Sequence, residues 1–332
     1  MPQQIRNRNQ KTVAYSAGNK VSEDLSRGMV YRELQLTLAG QLTATTANNV
    51  YANILRGDEW ALVKKIEIIA NGTQTIKSLS GASLRWLNFF WFGSSPQISP
   101  LLGAGGANPT FESTMILPFW MPRSVRPIDT CLDSRILSDL KVEITWGSHT
   151  DIAAAATGFT TAPTLRVDSL EAFGIDGQFA MWRLWEIEKT ITATTANYQV
   201  QLPVGGMFRG FHMIATDAGV EQGDILNNMK WKSGTTVFAD VKDNVLRATA
   251  AARYGLPREH NGVAYHDNFI GNNNDYEGNY HYDHVTDGML TEAIDTAGFS
   301  EHELELDVTV GGGTTKLIII PSQVIPIRNP GK

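Results

Sequence analysis

Leu140-Lys141-Val142-Glu143-Ile144-Thr145-Trp146-Gly147 alternates apolar and polar side chains without a break and stops on a glycine. A period of two marks a β-strand with one buried face, because successive side chains of an extended chain point to opposite sides. The pattern returns at Leu304-Glu305-Leu306-Asp307-Val308-Thr309-Val310-Gly311, a shift of 164 from position 140 to position 304. One such strand in each half of a 332-residue chain suggests a duplication. Real duplications keep their landmarks in order along the chain, and coincidences do not.

Other landmarks keep that order. Gly234-Thr235-Thr236-Val237 and Leu246-Arg247 match Gly72-Thr73-Gln74-Thr75 and Leu84-Arg85 at a shift of 162, and Ile294-Asp295-Thr296 echoes Ile128-Asp129-Thr130. Thr43-Ala44-Thr45-Thr46-Ala47-Asn48 recurs letter for letter at 192–197, a shift of 149. Each hexapeptide reads as the polar connection leaving the first strand of its half. The smaller shift then implies about thirteen residues added in the second copy, most simply between Asp217 and Ser233.

Between the landmarks the first half reads as antiparallel β. Residues 30–42 alternate as a first strand, 50–55 and 60–70 as two more with a turn at Arg56-Gly57-Asp58, and Asn71-Gly72 is the strongest hairpin signal. Leu79, Ser83, Trp86, Leu87 and Phe90 then recur at helical spacing, which predicts a helix over 78–92 stopped by Gly93-Ser94-Ser95-Pro96. Its aromatic run, with Phe89, Trp91 and Phe92, reads as core or subunit interface rather than a stacking platform, since aromatics bury the most area per side chain. Residues 101–109 are a Gly/Ala-rich loop, 115–119 a strand, 151–163 a loop, 165–173 the closing strand and 174–177 a hinge. The second half follows with strands at 198–202 and 208–215, then a helix carrying Val241, Val245, Ala248 and Ala252 and ended by Gly255-Leu256-Pro257.

Composition sets the bounds. With 42% hydrophobic and 19% charged residues the chain can fill two cores, and no apolar run approaches the ~20 residues that span a bilayer. The first thirty residues lack the apolar centre of a signal peptide, so nothing directs the chain to secretion. Cys131 is the one cysteine, which excludes an internal disulfide and a thiolate metal site within one chain. The net charge is −6, yet Arg6, Arg8, Lys11 and Lys20 are the charged residues of the first twenty. Such a basic, Gln/Asn-rich stretch reads as an arm that meets something anionic or a neighbouring subunit.

The sequence carries no recognisable catalytic motif. Gly103-Ala104-Gly105-Gly106 lacks the Lys-Ser/Thr pair of a phosphate loop, no serine sits in a Gly-x-Ser-x-Gly elbow, and Gly311-Gly312-Gly313 reads as a hairpin between strands. Asn71-Gly72-Thr73 is read as a turn and not as a glycosylation acceptor. Four of the seven histidines gather between His260 and His284 with Asp267, Asp275, Glu277, Asp283 and Asn272 to Asn274. His281-Tyr282-Asp283-His284 has ion-binding donors, but the spacing fits no zinc class or calcium loop, and a polar surface loop explains it better. No enzyme activity, metal or cofactor is expected.

Roughly eight short strands and one helix in about 150 residues per half suit an eight-stranded jelly roll better than a seven-stranded immunoglobulin sandwich of ~100 residues. The expectation is an all-β chain of two tandem eight-stranded jelly rolls, each with a flanking helix: an N-terminal arm over 1–29, a first roll over 30–175 and a second over 176–332.

The tandem repeat with its helices, the strand ending Thr145-Trp146-Gly147, the proline-rich approach through Ile128-Asp129-Thr130 and the basic arm carry a family likeness. On these features the sequence resembles the double jelly-roll major capsid proteins of tailless icosahedral viruses with an internal membrane. Its compact length is similar to the smaller bacteriophage members, such as those of lipid-containing flavobacterial phages. The resemblance implies a homotrimer whose six rolls form a pseudo-hexagonal block that tiles an icosahedral shell. It implies as partners other copies of the chain in the same and neighbouring trimers, other capsid proteins such as a penton, and the internal viral membrane, met through the arm with Arg6, Arg8, Lys11 and Lys20. No specific nucleic-acid sequence is implied, and the location is the virion capsid after assembly in the host cytoplasm. Trp120, Trp182 and Trp185 are candidates for the trimer interface, against the alternative that they fill their own rolls. Two other readings stay open: a tandem jelly-roll carbohydrate-binding or virion spike/penton protein, and a bicupin-like metalloenzyme. The last expects histidines on strands inside a roll.

Overall fold

The computed structural model describes residues 4–44, 58–92, 108–153, 156–173, 180–254 and 278–326. The chain divides into two units, one built on Met1–Trp182 and the other on Arg183–Tyr265 with Asn272–Pro326. The division falls after Trp182 rather than at residue 175, and the expected hinge at 174–177 lies outside the described residues.

Unit 1 contains β1 (Gln4–Ala14), β2 (Lys20–Asp24), β3 (Val30–Ala44), β4 (Val63–Ala70), β5 (Gln74–Leu79), helix α1 (Gly81–Phe92), β6 (Thr110–Pro118), β7 (Leu132–Asp133), β8 (Leu140–Trp146), the short helix α2 (His149–Ile152) and β9 (Ala156–Phe173). β10 (Ala180–Trp185) carries the chain into unit 2. There follow β11 (Ile187–Ile191), β12 (Thr195–Gln201), β13 (Met207–Asp217), β14 (Val220–Glu221), β15 (Leu226–Ser233), β16 (Thr236–Lys242), helix α3 (Asp243–Tyr254), β17 (Asn279–Asp283), β18 (Ile294–Asp295), β19 (Glu303–Val308) and β20 (Thr315–Pro326).

The alternation of apolar and polar side chains is obeyed in the core. Leu140, Val142, Ile144 and Trp146 of β8 are buried while Lys141, Glu143 and Thr145 are partly exposed, and Leu34, Leu36, Leu38 and Leu42 of β3 point inward with no exposed surface. Each such side chain contributes roughly 1.5–3 kcal/mol on leaving water. In unit 1 the strands pair antiparallel as β1-β9-β3-β6 and β2-β8-β4-β5. Unit 2 repeats the pattern as β11-β20-β13-β17 and β12-β19-β15-β16. Counting the eight principal strands of each unit in sequence, both place the first, eighth, third and sixth in one sheet and the second, seventh, fourth and fifth in the other. That interleaving is the eight-stranded jelly roll. β7 and β18 are equivalent short additions, each pairing with the third strand of its roll.

The topology corrects the arm. Residues 4–24, expected to lie outside the first roll, are its first two strands, and without them the roll would have six. β1 pairs with β9 and β2 with β8. β1 escaped notice because it is an edge strand whose described side chains are polar except Ile5, Val13 and Ala14, so no apolar period announces it.

The topology also moves the hexapeptides. Thr43 and Ala44 end β3, the third strand of the first roll, whereas residues 192–197 join β11 to β12, the first and second strands of the second roll. The two copies occupy different places, so they do not set the rolls in register; residues 45–48 of the first lie outside the described residues. The second copy is also the shorter one here, running from Asp217 to Leu226 where the first runs from Ala44 to Val63. The landmarks at shifts of 162 and 164 do hold. Both hairpins join the fourth and fifth strands, both helices follow the fifth, and β8 and β19 are both the seventh.

Local chemistry sets the element ends. Asn71 (φ 52°) and Gly72 (φ 76°) both adopt positive φ, the primed turn that matches the twist of paired strands. β5 runs to Leu79 and Ser80 caps α1, its Oγ accepting from Ser83 N at 3.1 Å, so the helix starts at Gly81 rather than at 78. A Cβ on Gly81 would stand 2.2 Å from the Trp60 carbonyl, and the helix packs that closely on the 3-10 turn Asp58–Leu62, where a strand was expected. Residues 151–163 are likewise not a loop: they hold the end of α2 and the first half of β9. That half pairs with the far end of β3 through exposed side chains, with Thr43 Oγ1 2.8 Å from Thr160 Oγ1, so it needs no apolar period.

Candidate functional site

The four basic residues read as an arm are built into sheets. Arg6 donates to Glu171 Oε2 from Nε at 3.1 Å and from Nη2 at 2.6 Å, and its guanidinium lies over the Phe173 ring. Glu171 is fully buried and also accepts from Gln10 at 2.7 Å. Lys11 pairs with Glu23 at 3.4 Å, and Lys20 pairs with Glu67 at 3.0 Å and with Glu143. Hydrogen bonds to Glu143 and Glu67 raise the Lys20 pKa. Arg8 is exposed on β1. Three of the four thus neutralise acids of their own roll.

The aromatics fill their rolls. Trp182 is buried against Trp91, ring centroids 5.4 Å apart, and Trp185 packs edge-on to Phe208 of the second core. Trp120 is half-buried and donates from Nε1 to Glu33 at 2.9 Å. In α1, Trp86, Phe90 and Trp91 are buried, and Asn88 ties the helix to β6 by donating to Ile116 O and accepting from Ile116 N, both at 2.8 Å. The core reading of this run is the correct one.

Two buried titratable groups carried no signal in the sequence. Lys77 on β5 is fully buried, its Nζ has no hydrogen-bond partner among the described residues, and it sits 3.7 Å from the centre of the Trp182 ring. Burial holds its pKa well below that of a free lysine. A cation over a desolvated ring gains ~2 kcal/mol, whereas burying an ammonium costs several, so burial outweighs the ring contact and favours the neutral amine. In unit 2, His212 and His281 are direct cross-strand partners on β13 and β17, ring centroids 5.6 Å apart. Burial first and the neighbouring His281 second hold His212 well below the usual histidine pKa.

The described part of the histidine-rich segment is committed to structure. Asp283 takes both arms of Arg209, at 2.9 and 2.6 Å, and accepts from Val285 N at 3.1 Å, in a pair that is almost wholly buried. His284 Nδ1 lies 3.0 Å from the Tyr282 hydroxyl. Among the described residues no three or more His, Cys, Asp or Glu come together in a way that could hold a metal ion. His260, Asp267, Asp275, Glu277 and residues 272–274 lie outside the described residues, as does 103–106. Elsewhere Trp231 Nε1 donates to His302 Nε2 at 2.8 Å, so Nδ1 carries the proton shared with the Pro203 carbonyl at 2.8 Å. Burial lowers the pKa of this histidine too. The Gly311-Gly312-Gly313 link between β19 and β20 is pinned by Asp217, whose carboxylate accepts from Gly313 N at 2.9 Å and from Thr315 Oγ1 at 3.1 Å.

Two complete rolls of one strand order, with a helix after the fifth strand of each, are what the chain offers for comparison. The STIV MCP, a protein of Sulfolobus Turreted Icosahedral Virus, superposes with a TM-score of 0.73 at 13% identity, covering 97% of each chain. The fold is the double jelly roll of major capsid proteins. The major capsid protein of bacteriophage PM2 shares this double jelly roll, with a TM-score of 0.64 at 14% identity over 99% of this chain and 100% of its own. PBCV-1 VP54 shares it at 0.57 and 14% identity, over 97% and 93% of the two chains. No protein-family model matches the sequence, and no curated protein matches it.

Proposed function

We propose that this chain is the major coat protein of a virus, which builds an icosahedral shell from homotrimers. The observation that carries the reading is that one chain holds two complete rolls of the same strand order and is matched along nearly its whole length by capsid proteins. Two similar rolls per chain let a threefold trimer present six similar units and so fill a sixfold position in a lattice. Its partners are then copies of itself within and between trimers, with other capsid proteins such as a penton closing the shell. Its place is the virion, of a bacteriophage with an internal membrane, after assembly in the host cytoplasm. No residue is assigned a catalytic role.

Native mass spectrometry of the full chain tests the reading. The expected species is a trimer held by an obligate interface above ~2,000 Å². A monomer retained by immobilised glycans would overturn it in favour of a carbohydrate-binding tandem roll.

A further inference from the structure

The two rolls differ at one equivalent point of their cores. In unit 1 the link from β2 to β3 starts with Leu25, whose N–H donates to Leu140 O at 2.9 Å; in unit 2 the link from β12 to β13 starts with Leu202, whose N–H donates to His302 O at 2.8 Å. His302, at the entry to the seventh strand, therefore stands where unit 1 has Leu140. The registers add a second match, since Ile68 on β4 faces Val142 as Trp231 on β15 faces Leu304. Leu140 and Ile68 are buried and apolar. Trp231 and His302 are just as buried, but they are hydrogen-bonded to each other, and one of them titrates.

Both ring nitrogens of His302 are committed. Nε2 accepts from Trp231 Nε1 and Nδ1 donates to Pro203 O, each at 2.8 Å, so only the neutral ring fits. A second proton at Nε2 would set two N–H groups against each other, and a buried donor without an acceptor is costly. Phe208 and Phe299 close other sides of the ring, with centroids 4.5 and 6.1 Å away. The acids of the surrounding elements are already spent or face water. Glu303 of β19 accepts from Gln201 at 2.7 Å and pairs with Lys232 of β15 at 3.0 Å, while Glu301 is exposed. Asp283 of β17 is locked to Arg209 of β13, and Asp240 of β16 is exposed and holds Asn228 at 2.8 Å. His284 lies edge-on to the indole of Trp231 with centroids 5.6 Å apart, and the Tyr282 hydroxyl beside it can turn to accept from a protonated ring. His302 has no such adaptable partner.

What His302 holds is the link over residues 202–206. Its ties are Pro203 O on the imidazole, Gly205 N on Thr296 Oγ1 at 3.0 Å and Gly206 O on the same hydroxyl at 2.9 Å, and of these groups the imidazole is the one that titrates near neutrality. The corresponding link of unit 1, residues 25–29, is tied by Arg27 to Leu137 O at 2.7 Å and by Ser134 Oγ to Met29 O at 2.6 Å, and neither group changes charge between pH 5 and 8. We propose that His302 is an acid-operated latch: a proton at Nε2 breaks its bond to Trp231, the ring leaves the core, and the 202–206 link opens over Phe208, Trp231 and Phe238 while the link of unit 1 stays closed. The sign follows from linkage. Burial holds the closed ring below the pKa of a free histidine, so the latch is intact above about 6.5 and is lost as pH falls below it. The proposal does not rest on the coat-protein reading, because local opening and oligomer mass are measured separately.

Amide hydrogen exchange of the full chain, read by mass spectrometry on peptides and corrected for the chemical effect of pH, tests it. Protection of 202–206 is expected to fall roughly tenfold from pH 6.5 to 5, while that of 25–29 and of β8 holds. H302Q stays uncharged and should keep 202–206 protected at pH 5. H212Q, at the His281 pair on β13, should leave the wild-type fall unchanged. If H302Q fails to fold, W231F serves: with no indole N–H facing it, the ring takes its proton closer to the free value, and the fall should shrink. Protection of 202–206 that does not change with pH overturns the proposal, as does a fall that H302Q or W231F retains in full. A fall spread equally over 202–206, 25–29 and β8 overturns it too, because acid would then be unfolding the whole chain.

Discussion

Lys77 and His212 show how far a single side chain can depart from what its letter suggests. A lysine buried without a hydrogen bond leaves a desolvated amine uncompensated, at about 1–3 kcal/mol. Lys77→Met keeps the volume and removes the amine, so the variant is expected to gain about 1–3 kcal/mol in urea unfolding at pH 7. A loss would show that the amine is bound. The pH dependence has a definite sign. Burial depresses the folded pKa of Lys77 below its unfolded value, so between the two the unfolded chain holds the extra proton and this group makes stability rise with pH up to the free lysine value of about 10.4. The variant should lack that slope on the approach to the free lysine value. His212 acts in a lower window. Its folded pKa is depressed, so its contribution is intact above the unfolded value of about 6.5 and is lost as pH falls below it, at up to about 1.4 kcal/mol per pH unit. His212→Gln should flatten the wild-type loss between pH 7 and 5, and identical profiles would sink the assignment. Neither position was legible, because a lysine in a short strand and a histidine between apolar neighbours look the same whether the face they share is wet or dry. In the sequence alone Trp182 stays open between interface and core for the same reason.

Strands and turns were legible where one face is dry and the other wet. β8 was read to the residue, β3 almost so, and the Asn71-Gly72 turn outright, since only residues that tolerate positive φ serve there. Gly72→Ala should cost about 1 kcal/mol, read as a shift in the urea midpoint, because φ 76° is strained for any Cβ. β1 and the first half of β9 could not be read this way. They lie at an edge and beyond the core, and they are held by backbone ladders, threonine pairs and buried acids rather than by an apolar stripe. The consequence for β1 is testable. A chain lacking residues 1–14 loses Val13 from the core and leaves Glu171 buried without Arg6 or Gln10, so it should lose more than about 3 kcal/mol and expose the β9 edge to aggregation. An unchanged melt with a monodisperse product would return β1 to the status of an arm.

The duplicated architecture also predicts how the whole molecule melts. If three chains share an obligate interface, unfolding is linked to dissociation, and Tm should rise with protein concentration over a hundredfold range, where that of a monomer would not. The sequence by itself determined that the chain is β-rich, that it is a duplication, and that each copy carries one helix midway. Those properties are written in local periodicity, glycine turns and landmark order, which survive in one dimension. Only the tertiary structure decided where each roll begins, which landmarks are equivalent, and which charges are already spent. The identical hexapeptides at 43–48 and 192–197 illustrate the limit: their letters agree, but Thr43 and Ala44 end a third strand while the second copy leads into a second strand. Strand partners in a jelly roll are far apart in the chain, as Gln4 and Phe173 are. Which segments pair is therefore set by long-range backbone hydrogen bonds and core burial, and these leave no mark on the order of neighbouring residues.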